Sequence, residues 1–306
     1  MKVSLVTTVK DAAADIGEFL TSVRAQTRPP EEIVIVDGGS SDGTLEALRA
    51  APDVTLLDEP GAGISRGRNV GIRAATHDLI ALSDGDCVLS PVWLQSLTKA
   101  LEDGADAAMG FTRPIARGFF EACSAAIGLP EAEEVDPDRY MPSSRSIAFR
   151  RETLELVGGY PEWLPIGEDM WLNHRLRELA LDLRFVPEAV AYWRMRGTLP
   201  GLWRQYSGYA WGDGYAGLYQ ERHAIRFGAY GALVAALAVR SRPALGAFGL
   251  AAAWYASRRI RRAMRLLPGP VERTATVAAV PALMALIDVA KMAGYVSGRL
   301  AGRRRA

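Results

Sequence analysis

The sequence predicts an α/β fold in which helices flank a mostly parallel sheet, followed by a C-terminal helical tail. In roughly the first 190 residues, short apolar runs typical of buried strands alternate with segments of helical spacing. Several of these runs end in acidic residues, which is typical of the edge where open sheets bind ligands. After residue 224 the chain becomes apolar and rich in arginine. We therefore predict a catalytic domain over residues 1–224 and a separate helical region over residues 225–306.

Four strands are predicted in the first part of the chain, each from a short apolar run. They cover residues 3–9, 32–36, 54–57 and 78–83. The second strand ends at Asp37, and the fourth is followed by Asp84 and Asp86. A later run at 147–150 predicts one more strand.

The helices that alternate with these strands are predicted from apolar spacing. Residues 13–25 and 45–50 follow the first and second strands, and a glycine-rich loop at 61–67 opens a third helix. A further helix begins at Glu168, because Asp169, Leu172 and Leu176 recur at helical spacing. This spacing places Asp169 in the first turn, on the inner face of the helix.

Composition sets limits on the function. The chain has 306 residues and 49% hydrophobic content, enough for a catalytic core and an appendage. Two cysteines cannot form a disulfide framework, and the three histidines lack zinc-ligand spacing, so a reducing compartment is expected. The first strand begins at Val3, which leaves no room for a signal peptide and predicts that the N-terminal part stays in the cytoplasm.

Charge is divided unevenly along the chain. Residues 225–306 contain 14 Lys or Arg against only Glu272 and Asp288, a balance of +12, whereas residues 1–224 carry −11. Three segments of this basic tail are nearly free of charge: 227–239, 243–256 and 274–296. Arginines beside apolar helices are attracted to anionic headgroups on the cytoplasmic face of a membrane. We therefore expect membrane lipids among the partners and an anchor formed by this region.

How the tail meets the membrane stays open at this point. Its first two apolar segments are shorter than the roughly 20 residues of a spanning helix, and Asp288 and Lys291 interrupt the third. True spans fit, and so does a hairpin in one leaflet with an amphipathic helix on the surface. An Ala-rich helical subdomain packed on the catalytic domain is the third alternative.

Asp84, Gly85 and Asp86 close the fourth predicted strand and are the most informative residues of the chain. Carboxylates one residue apart at the end of a buried strand can hold a divalent cation and, through it, a diphosphate. This pattern indicates nucleotide-linked group transfer. Paired acids beside a glycine also occur in ordinary turns, so the pattern alone leaves both interpretations open.

The glycine-rich loop at 61–67 resembles a dinucleotide-binding motif only weakly. Its spacing is Gly-x-Gly-x-x-x-Gly, and it does not follow the first strand, where that fingerprint belongs. A nicotinamide or flavin enzyme is therefore disfavoured. Arg66 and Arg68 beside the loop instead indicate contact with the phosphates of a sugar nucleotide.

Five ordered blocks within about residues 1–200 resemble the family 2 glycosyltransferases, which have a single-domain nucleotide-diphospho-sugar fold. The blocks are Val6-Thr7-Thr8-Val9-Lys10-Asp11, Asp37-Gly38-Gly39-Ser40-Ser41-Asp42-Gly43-Thr44, Arg68-Asn69-Val70-Gly71, Ser83-Asp84-Gly85-Asp86 and Gly167-Glu168-Asp169. Two departures from the family pattern stand out. Thr8 and Lys10 replace the usual Pro and aromatic of the first block, and no histidine follows near residues 191–196 to complete a metal site.

The resemblance implies roles for these residues. Thr8, Val9, Asp11 and Asp37 are expected at the nucleobase, Arg66 and Arg68 near the diphosphate, Asp84 and Gly85 at the nucleotide, and Asp86 with Asp84 at a Mn or Mg ion. Asp169 resembles the catalytic base, with Glu168 orienting the acceptor or the cation. A base is needed because an acceptor hydroxyl has a high pKa, and a cation because the leaving diphosphate gains charge. One displacement with one base implies inversion at the anomeric carbon.

Acceptor contacts are expected mainly after residue 196. A segment around Trp203, Gln205 and Tyr206 resembles the acceptor-channel segment of membrane-bound, polysaccharide-making members of the family, and aromatic rings stack on sugar faces. Packing against the tail is the equal alternative for these aromatics. The segment 142–146, which contains Ser144 and Arg145 and lies just before the strand at 147–150, is expected to border the acceptor side.

The predicted function is transfer of a sugar from a nucleotide-diphosphate sugar to a lipid-linked or cell-surface glycan, with uridine favoured over other bases. A catalytically inactive nucleotide-sugar scaffold and a sugar nucleotidyltransferase are the alternatives. The first would be expected to lose Asp86 or Asp169, and the second normally has a phosphate loop where this chain has Val9-Lys10-Asp11. Nucleic acid is not an expected partner, since the arginines of the tail flank apolar helices instead of a polar groove.

Overall fold

The strands of the computed structural model, which describes residues 1–303, form a mixed sheet with the order β3-β2-β1-β4-β7-β6-β8-β5. Their bounds are β1 Val3–Val9, β2 Glu32–Asp37, β3 Val54–Asp58, β4 Leu79–Leu82, β5 Cys87–Leu89, β6 Ala107–Ile115, β7 Ile147–Arg150 and β8 Leu183–Arg194. The strands predicted at 3–9, 32–36, 54–57, 78–83 and 147–150 are therefore confirmed to within a residue or two.

Parallel pairing dominates, as the sequence predicts. Within the described chain, four of the seven pairings are parallel: β1 with β2, β1 with β4, β2 with β3, and β6 with β8. The other three, which join β7 to β4 and to β6 and β5 to β8, are antiparallel. Because β2 and β4 lie on opposite sides of β1, the sheet has a topological switch point between β1 and β4.

Helices flank this sheet and form most of the C-terminal part of the chain. They are α1 Ile16–Arg24, α2 Thr44–Arg49, α3 Ile64–Ala74, α4 Trp93–Glu102, α5 Phe119–Gly128, α6 Arg151–Val157, α7 Glu168–Glu178, α8 Leu199–Ala216, α9 Gln220–Ala238, α10 Arg242–Leu266 and α11 Pro270–Arg303. Two short 3-10 helices at Ala132–Glu134 and Pro137–Arg139 precede β7.

The chain divides into two compact units. The first comprises Met1–Ile115 and Glu131–Arg194, and the second comprises Ala116–Pro130 and the chain from Met195 onward. The sequence-based boundary between residues 224 and 225 falls inside the second unit, within α9. The reason is that α8 packs along α11, and both share a buried cluster with α5.

The core of the first unit lies beneath the switch point. Val6, Val34, Ile80 and Phe149 from β1, β2, β4 and β7 are almost completely buried, and Leu172 of α7 joins them. Burying each such side chain contributes about 1.5–3 kcal/mol. This packing fixes the strand ends and the start of α7, which carry the predicted site residues.

Helices α8 and α11 approach so closely that glycine is required on α11. Gly294, Gly298 and Gly302 recur every fourth residue and face α8. A Cβ atom on Gly298 would lie 2.1 Å from the carbonyl oxygen of Trp211, and one on Gly294 would lie 2.0 Å from that of Ser207. Small residues at this spacing let helix backbones touch, as they do in membrane proteins.

Within residues 1–303, α11 is the one helix long and apolar enough to cross a membrane by length and composition. The qualifying segment covers 270–302, and its most apolar 18-residue window has a mean hydropathy of 1.7. Only 28% of its most apolar window is buried inside the protein.

Substitution of Gly298 should separate α8 from α11. We expect Gly298→Ala to lower the free energy of unfolding by about 1–3 kcal/mol, because the added methyl group meets a backbone carbonyl that cannot move independently. Gly249→Ala in α10 is the matched control: nothing lies within 4 Å of its Cβ position, so the gain in helix propensity should stabilise the protein by about 0.5–1 kcal/mol. Denaturant unfolding of the full chain in one detergent, followed by circular dichroism, measures both. Equal effects of the two substitutions would contradict the close crossing.

Candidate active site

The predicted site residues of the first unit lie at the carboxyl ends of β1, β2 and β4, on the side of the sheet where the topological switch point opens a crevice. Asp37 is the last residue of β2, and Asp84 and Asp86 follow β4 directly. Because β7 runs antiparallel to β4, with Leu82 opposite Ile147, the segment that precedes β7 reaches the same edge. The fold therefore brings residues 83–86 and 143–146 together.

Arg68 of α3 is the centre of the site. Its side chain is only 3% exposed, and its two terminal nitrogens donate to different carboxylates: Nη2 to Asp84 Oδ1 at 2.8 Å and Nη1 to Glu168 Oε1 at 2.6 Å. The ring of Tyr160 lies beside the guanidinium, 5.1 Å from centroid to Cζ. Burial lowers the pKa of Arg68, but Asp84 and Glu168 more than offset this and hold it above its ordinary value. The arginine is thus a permanent cation between two acids.

Asp84 is held in its ionised form. Burial acts to raise the pKa of its carboxyl, yet Arg68 and Arg145 together bring it below its usual value. The Nε atom of Arg145 lies 3.5 Å from Asp84 Oδ2, on the side opposite Arg68. Each oxygen of Asp84 therefore faces an arginine.

Asp86 is oriented by a tryptophan of β8. Trp193 Nε1 donates to Asp86 Oδ2 at 3.0 Å, and the pairing of Cys87 with Trp193 between β5 and β8 brings the indole to this place. The guanidinium of Arg145 stacks on the same indole, 3.9 Å from Cζ to the ring centroid. Trp193 thus positions both a carboxylate and a cation of the site.

Asp169 lies in the first turn of α7, which begins after Gly167 in the left-handed region (φ 86°). Its Oδ1 accepts the backbone N–H of Met170 at 2.8 Å. Burial, and then the neighbouring Glu168 carboxylate, raise the pKa of Asp169 to about 7, against the opposing effect of Arg68 and Arg145. A carboxyl with a pKa near neutrality suits general acid-base chemistry.

The loops after β1 and β2 are tied together by acidic side chains. Asp37 is fully buried, and its Oδ1 accepts the N–H groups of Gly39 and Ser40, each at 2.8 Å. Asp11, which has a positive φ of 51°, accepts the N–H of Ser41 at 2.8 Å. Asp37 and Asp11, two of the residues predicted at the nucleobase, therefore fix the backbone of the loop after β2 by hydrogen bonds to its N–H groups.

Comparison with known proteins agrees with this geometry. The model of the family described as "Glycosyl transferase family 2" matches residues 4–147. This part of the chain belongs to glycosyl transferase family 2. Glycosyltransferase AglE of Haloferax volcanii is 27% identical over 199 residues, which cover 61% of this chain and 65% of that protein. The glucosyl-dolichyl phosphate glucuronosyltransferase of the same organism is 32% identical over 176 residues, covering 52% of this chain and 56% of the relative.

The chain thus matches less than two thirds of the length of either relative. Among solved structures, it is similar in fold to a mannosyltransferase from Pyrobaculum calidifontis solved with GDP-Man and Mn2+. The TM-score is 0.57 at 21% identity, over 99% of this chain and 87% of that one. The family and the fold predicted from the five sequence blocks are confirmed.

The structure gives steric reasons for several residues of the family 2 blocks. A Cβ atom on Gly67 would lie 2.4 Å from Thr8 Oγ1, and one on Gly85 would lie 2.6 Å from Val9 Cγ1. Thr8 and Val9 therefore pack against the glycines of α3 and of the Asp84–Asp86 turn. Contact of these residues with a nucleotide stays a prediction.

The two arginines beside the glycine loop differ in environment. Arg66 is exposed and pairs with Glu59 at 3.2 Å, so its side chain is accessible to a soluble phosphate. Arg68 already bridges two carboxylates, which favours a positioning role. A direct contact of Arg68 with the diphosphate stays a prediction.

The predicted acceptor residues lie in different units. Ser144 belongs to the first unit and is 2% exposed, with its hydroxyl 2.7 Å from that of Tyr160. Trp203, Gln205 and Tyr206 lie on α8 in the second unit, where Tyr206 is buried in the apolar cluster and Gln205 Nε2 donates to Tyr209 at 3.3 Å. Tyr206 thus has the packing role that the sequence left as an alternative, and acceptor contact by these residues stays a prediction.

Sequence reasoning missed Trp193 and Tyr160 as members of the site, and it placed Arg145 only within the segment 142–146 expected to border the acceptor side. The motifs of the family blocks do not include them, and each reaches the site through pairing or packing between distant segments. Of the three, only Arg145 could have been placed near Asp84 from the sequence. It lies just before the strand at 147–150, and the start of an antiparallel strand lies beside the end of its neighbour.

Removal of Arg68 should destabilise the protein strongly. We expect Arg68→Met to lower the free energy of unfolding by about 3–5 kcal/mol, because it removes the cation that pairs with Glu168 and leaves Asp84 with Arg145 alone in a buried site. Arg66→Met, two residues away on the same helix but 58% exposed, should change it by less than about 0.5 kcal/mol. Urea unfolding of the two variants beside the native chain tests this. A loss below about 1 kcal/mol for Arg68→Met would show that the bridge is not needed.

Proposed function

We propose that this chain is an inverting, metal-dependent glycosyltransferase that moves a sugar from a UDP-linked donor to a hydroxyl of a lipid-linked or cell-surface glycan. The observation that carries the proposal is the cluster at the end of β4, where Asp86, Asp169, Arg68 and Arg145 meet around Asp84. A cluster of this kind can hold a diphosphate, neutralise it and accept a proton. Membership of glycosyl transferase family 2 supports the reaction class.

Asp86, with Asp84, is the proposed metal site. Within residues 1–303 there is no group of three or more His, Cys, Asp or Glu arranged to hold a metal ion. Carboxylate oxygens are nonetheless the donors that Mg²⁺ and Mn²⁺ prefer, and Mg²⁺ is commonly held by one or two carboxylates together with substrate phosphates. The ion would stabilise the charge that develops on the leaving diphosphate. The two aspartates fit a cation that arrives with the donor.

The arginines have separate proposed roles. Arg68 fixes Asp84 and Glu168 in place through two short hydrogen bonds. Arg145 lies between Asp84 and the Trp193 indole, where its positive charge would act on the diphosphate. Positive groups already fixed in position stabilise developing negative charge without reorganisation during the reaction.

Asp169 is the proposed base. Its carboxylate would accept the proton of the acceptor hydroxyl as that oxygen attacks the anomeric carbon. Glu168 contributes indirectly, since its negative charge helps to raise the pKa of Asp169. A single attack from the face opposite the diphosphate inverts the anomeric configuration.

The acceptor and the location in the cell follow from the second unit. Thirteen of the eighteen large apolar side chains that are exposed in the described chain lie between Ile225 and Leu300. Exposed apolar surface on this scale indicates an interaction site or a lipid surface. We propose that this region anchors the protein at the cytoplasmic face of the cell membrane. The match to a relative named for a dolichyl phosphate substrate supports a lipid-linked acceptor.

Two substitutions separate the proposed roles of metal and base. In Asp86→Ala, donor binding that depends on Mn²⁺ should be lost, because the carboxylate that holds the ion is gone. In Asp169→Asn, donor binding should persist while turnover falls by about 10²–10⁴-fold, as expected for removal of a general base. Titration calorimetry with UDP-sugars and GDP-mannose, with and without Mn²⁺, measures binding, and nucleoside diphosphate release measures turnover.

The same measurements reveal the alternatives. Release of pyrophosphate in place of nucleoside diphosphate would indicate a nucleotidyltransferase. Binding of no nucleotide-sugar by the native chain would refute the proposal and favour an inactive scaffold. Full turnover by Asp169→Asn would exclude Asp169 as the base.

The turnover number should depend on pH through Asp169. Its pKa is raised to about 7 and the base must be ionised, so kcat at saturating donor and metal should rise with pH and level off above about pH 8, one unit above that pKa. Below about pH 6 it should fall tenfold per unit. The residual activity of Asp169→Asn should lack this limb. An unchanged acidic limb in that variant would assign the titration to another group.

A further inference from the structure

Helices α9, α10 and α11 of the second unit line a half-open cavity of about 560 Å³. Its walls are mainly apolar and include Ile225, Leu233, Phe248, Ala252 and Met284. Small-molecule sites typically fall between about 300 and 1,000 Å³. The cavity is thus large enough for a hydrocarbon chain.

One end of this cavity continues into a smaller chamber of about 230 Å³ with a different character. Four cationic side chains line it: Arg222, Arg226, Arg259 and Lys291. Asp288 is the one carboxylate among the described residues that line it. Arg222, Arg226 and Asp288 also line the apolar cavity, so the two spaces are continuous. The combined compartment has an apolar end and a strongly positive end.

The positive charge of the chamber is not balanced by the protein. Asp288 is already used, since Arg226 Nε donates to its Oδ1 at 2.8 Å and the Tyr230 hydroxyl donates to its Oδ2 at 3.2 Å. Arg222, Arg259 and Lys291 face aromatic rings instead, at 4.8, 4.1 and 4.9 Å from the centroids of Tyr219, Tyr255 and Tyr206.

Among residues 1–303, none of these three cations has a carboxylate oxygen within 4.0 Å. Arg259 and Lys291 are partly buried, whereas Arg222 is exposed at the edge of the chamber. A partly buried cation without an anionic partner is unfavourable. An anion with several oxygens would relieve this, and guanidinium groups match phosphate geometry well.

A relay of side chains holds the chamber in shape. Arg226 Nη1 donates to Nδ1 of His223 at 3.1 Å, so Nε2 carries the ring hydrogen and donates to Asp213 Oδ2 at 3.0 Å. The imidazole stacks on Tyr295 of α11, with 3.9 Å between the ring centroids. Arg226 is thus fixed from both sides before any ligand arrives.

We propose that this compartment binds a lipid phosphate, with the phosphate among Arg222, Arg259 and Lys291 and the hydrocarbon chain in the apolar cavity. The exposed apolar surface around it, which includes Ile225, Leu250 and Trp254, is where such a lipid would be available. The proposal concerns the second unit by itself and does not depend on the proposed glycosyltransferase activity.

The test uses the full chain in a neutral maltoside detergent with dodecyl phosphate as the probe. Native mass spectrometry and equilibrium titration measure its binding, with dodecanol, dodecanoate and inorganic phosphate as the comparison ligands. Dodecyl phosphate should bind at least about tenfold more tightly than each of the other three, since it alone offers both a phosphate and a hydrocarbon chain.

Two pairs of variants locate the site. The double variant Arg222→Gln/Lys291→Gln should weaken dodecyl phosphate binding at least about tenfold, whereas Arg242→Gln/Arg261→Gln makes the same change of charge outside the chamber and should not. Ala252→Phe fills the apolar cavity and should weaken binding by a similar factor. The adjacent, exposed Ala253→Phe lies outside the cavity and should bind normally.

Three results would overturn the proposal. Equal losses in the two charge variants would mean diffuse attraction to a basic surface. Equal affinity for inorganic phosphate, or normal binding by Ala252→Phe, would mean an anion site without a lipid chain, and equal affinity for dodecanoate would mean that phosphate is not recognised. Donor binding by the first unit, measured in each variant, verifies that the protein is folded and keeps this result separate from the proposed catalytic function.

Discussion

The bridge from Arg68 to Asp84 and Glu168 is the interaction on which the site depends. It joins α3, the turn after β4 and the first turn of α7, three segments separated by up to 100 residues in the chain. A buried arginine between two acids is stable only while all three groups are present, since any one alone would be an uncompensated buried charge. The bridge therefore specifies one arrangement of these segments, and Asp86 and Asp169 take their positions from it.

One electrostatic cluster gives its two principal carboxylates opposite properties. Asp84 faces two arginines and stays ionised, so it serves as a fixed negative charge. Asp169 lies next to Glu168, and burial together with that neighbour raises its pKa to about 7. Environments that separate the pKa values of nearby acids are how a site assigns one acid to structure and another to proton transfer. Because the pKa of Asp169 is raised from 3.8 to about 7 on folding, ionising this carboxyl disfavours the folded state, and its contribution to stability is lost as the pH rises from about 4 to about 7.

The sequence predicted the parallel half of the sheet and the motif residues because both are local patterns. The runs that form β1, β2 and β4 are apolar, and acids stand at or shortly after their ends, so strand ends and site residues could be read together. The contacts of Arg145 with Asp84 and of Trp193 with Asp86 could not be predicted from local patterns, since they form through the antiparallel pairings of β7 and β8. The boundary at residue 224 followed a change in composition, whereas the second unit is defined by α8 packing along α11. That crossing rests on Gly294, Gly298 and Gly302, a spacing visible in the sequence whose significance appears only with its partner helix.

The two units solve the problem of buried charge in different ways. In the first, Arg68 pairs with two carboxylates. Arg145 lies near the Asp84 carboxylate and stacks on the Trp193 ring. In the second, Asp288 is shared by Arg226 and Tyr230, and three further cations around the same chamber face aromatic rings and have no carboxylate partner among the described residues. The same unit leaves large apolar side chains such as Leu250 and Trp254 about three-quarters exposed or more. A phosphate-bearing lipid would supply both the anion that these cations lack and a hydrocarbon chain to cover the exposed apolar surface. The second unit is therefore best understood as a structure completed by its lipid surroundings, whereas the first contains its own charge partners.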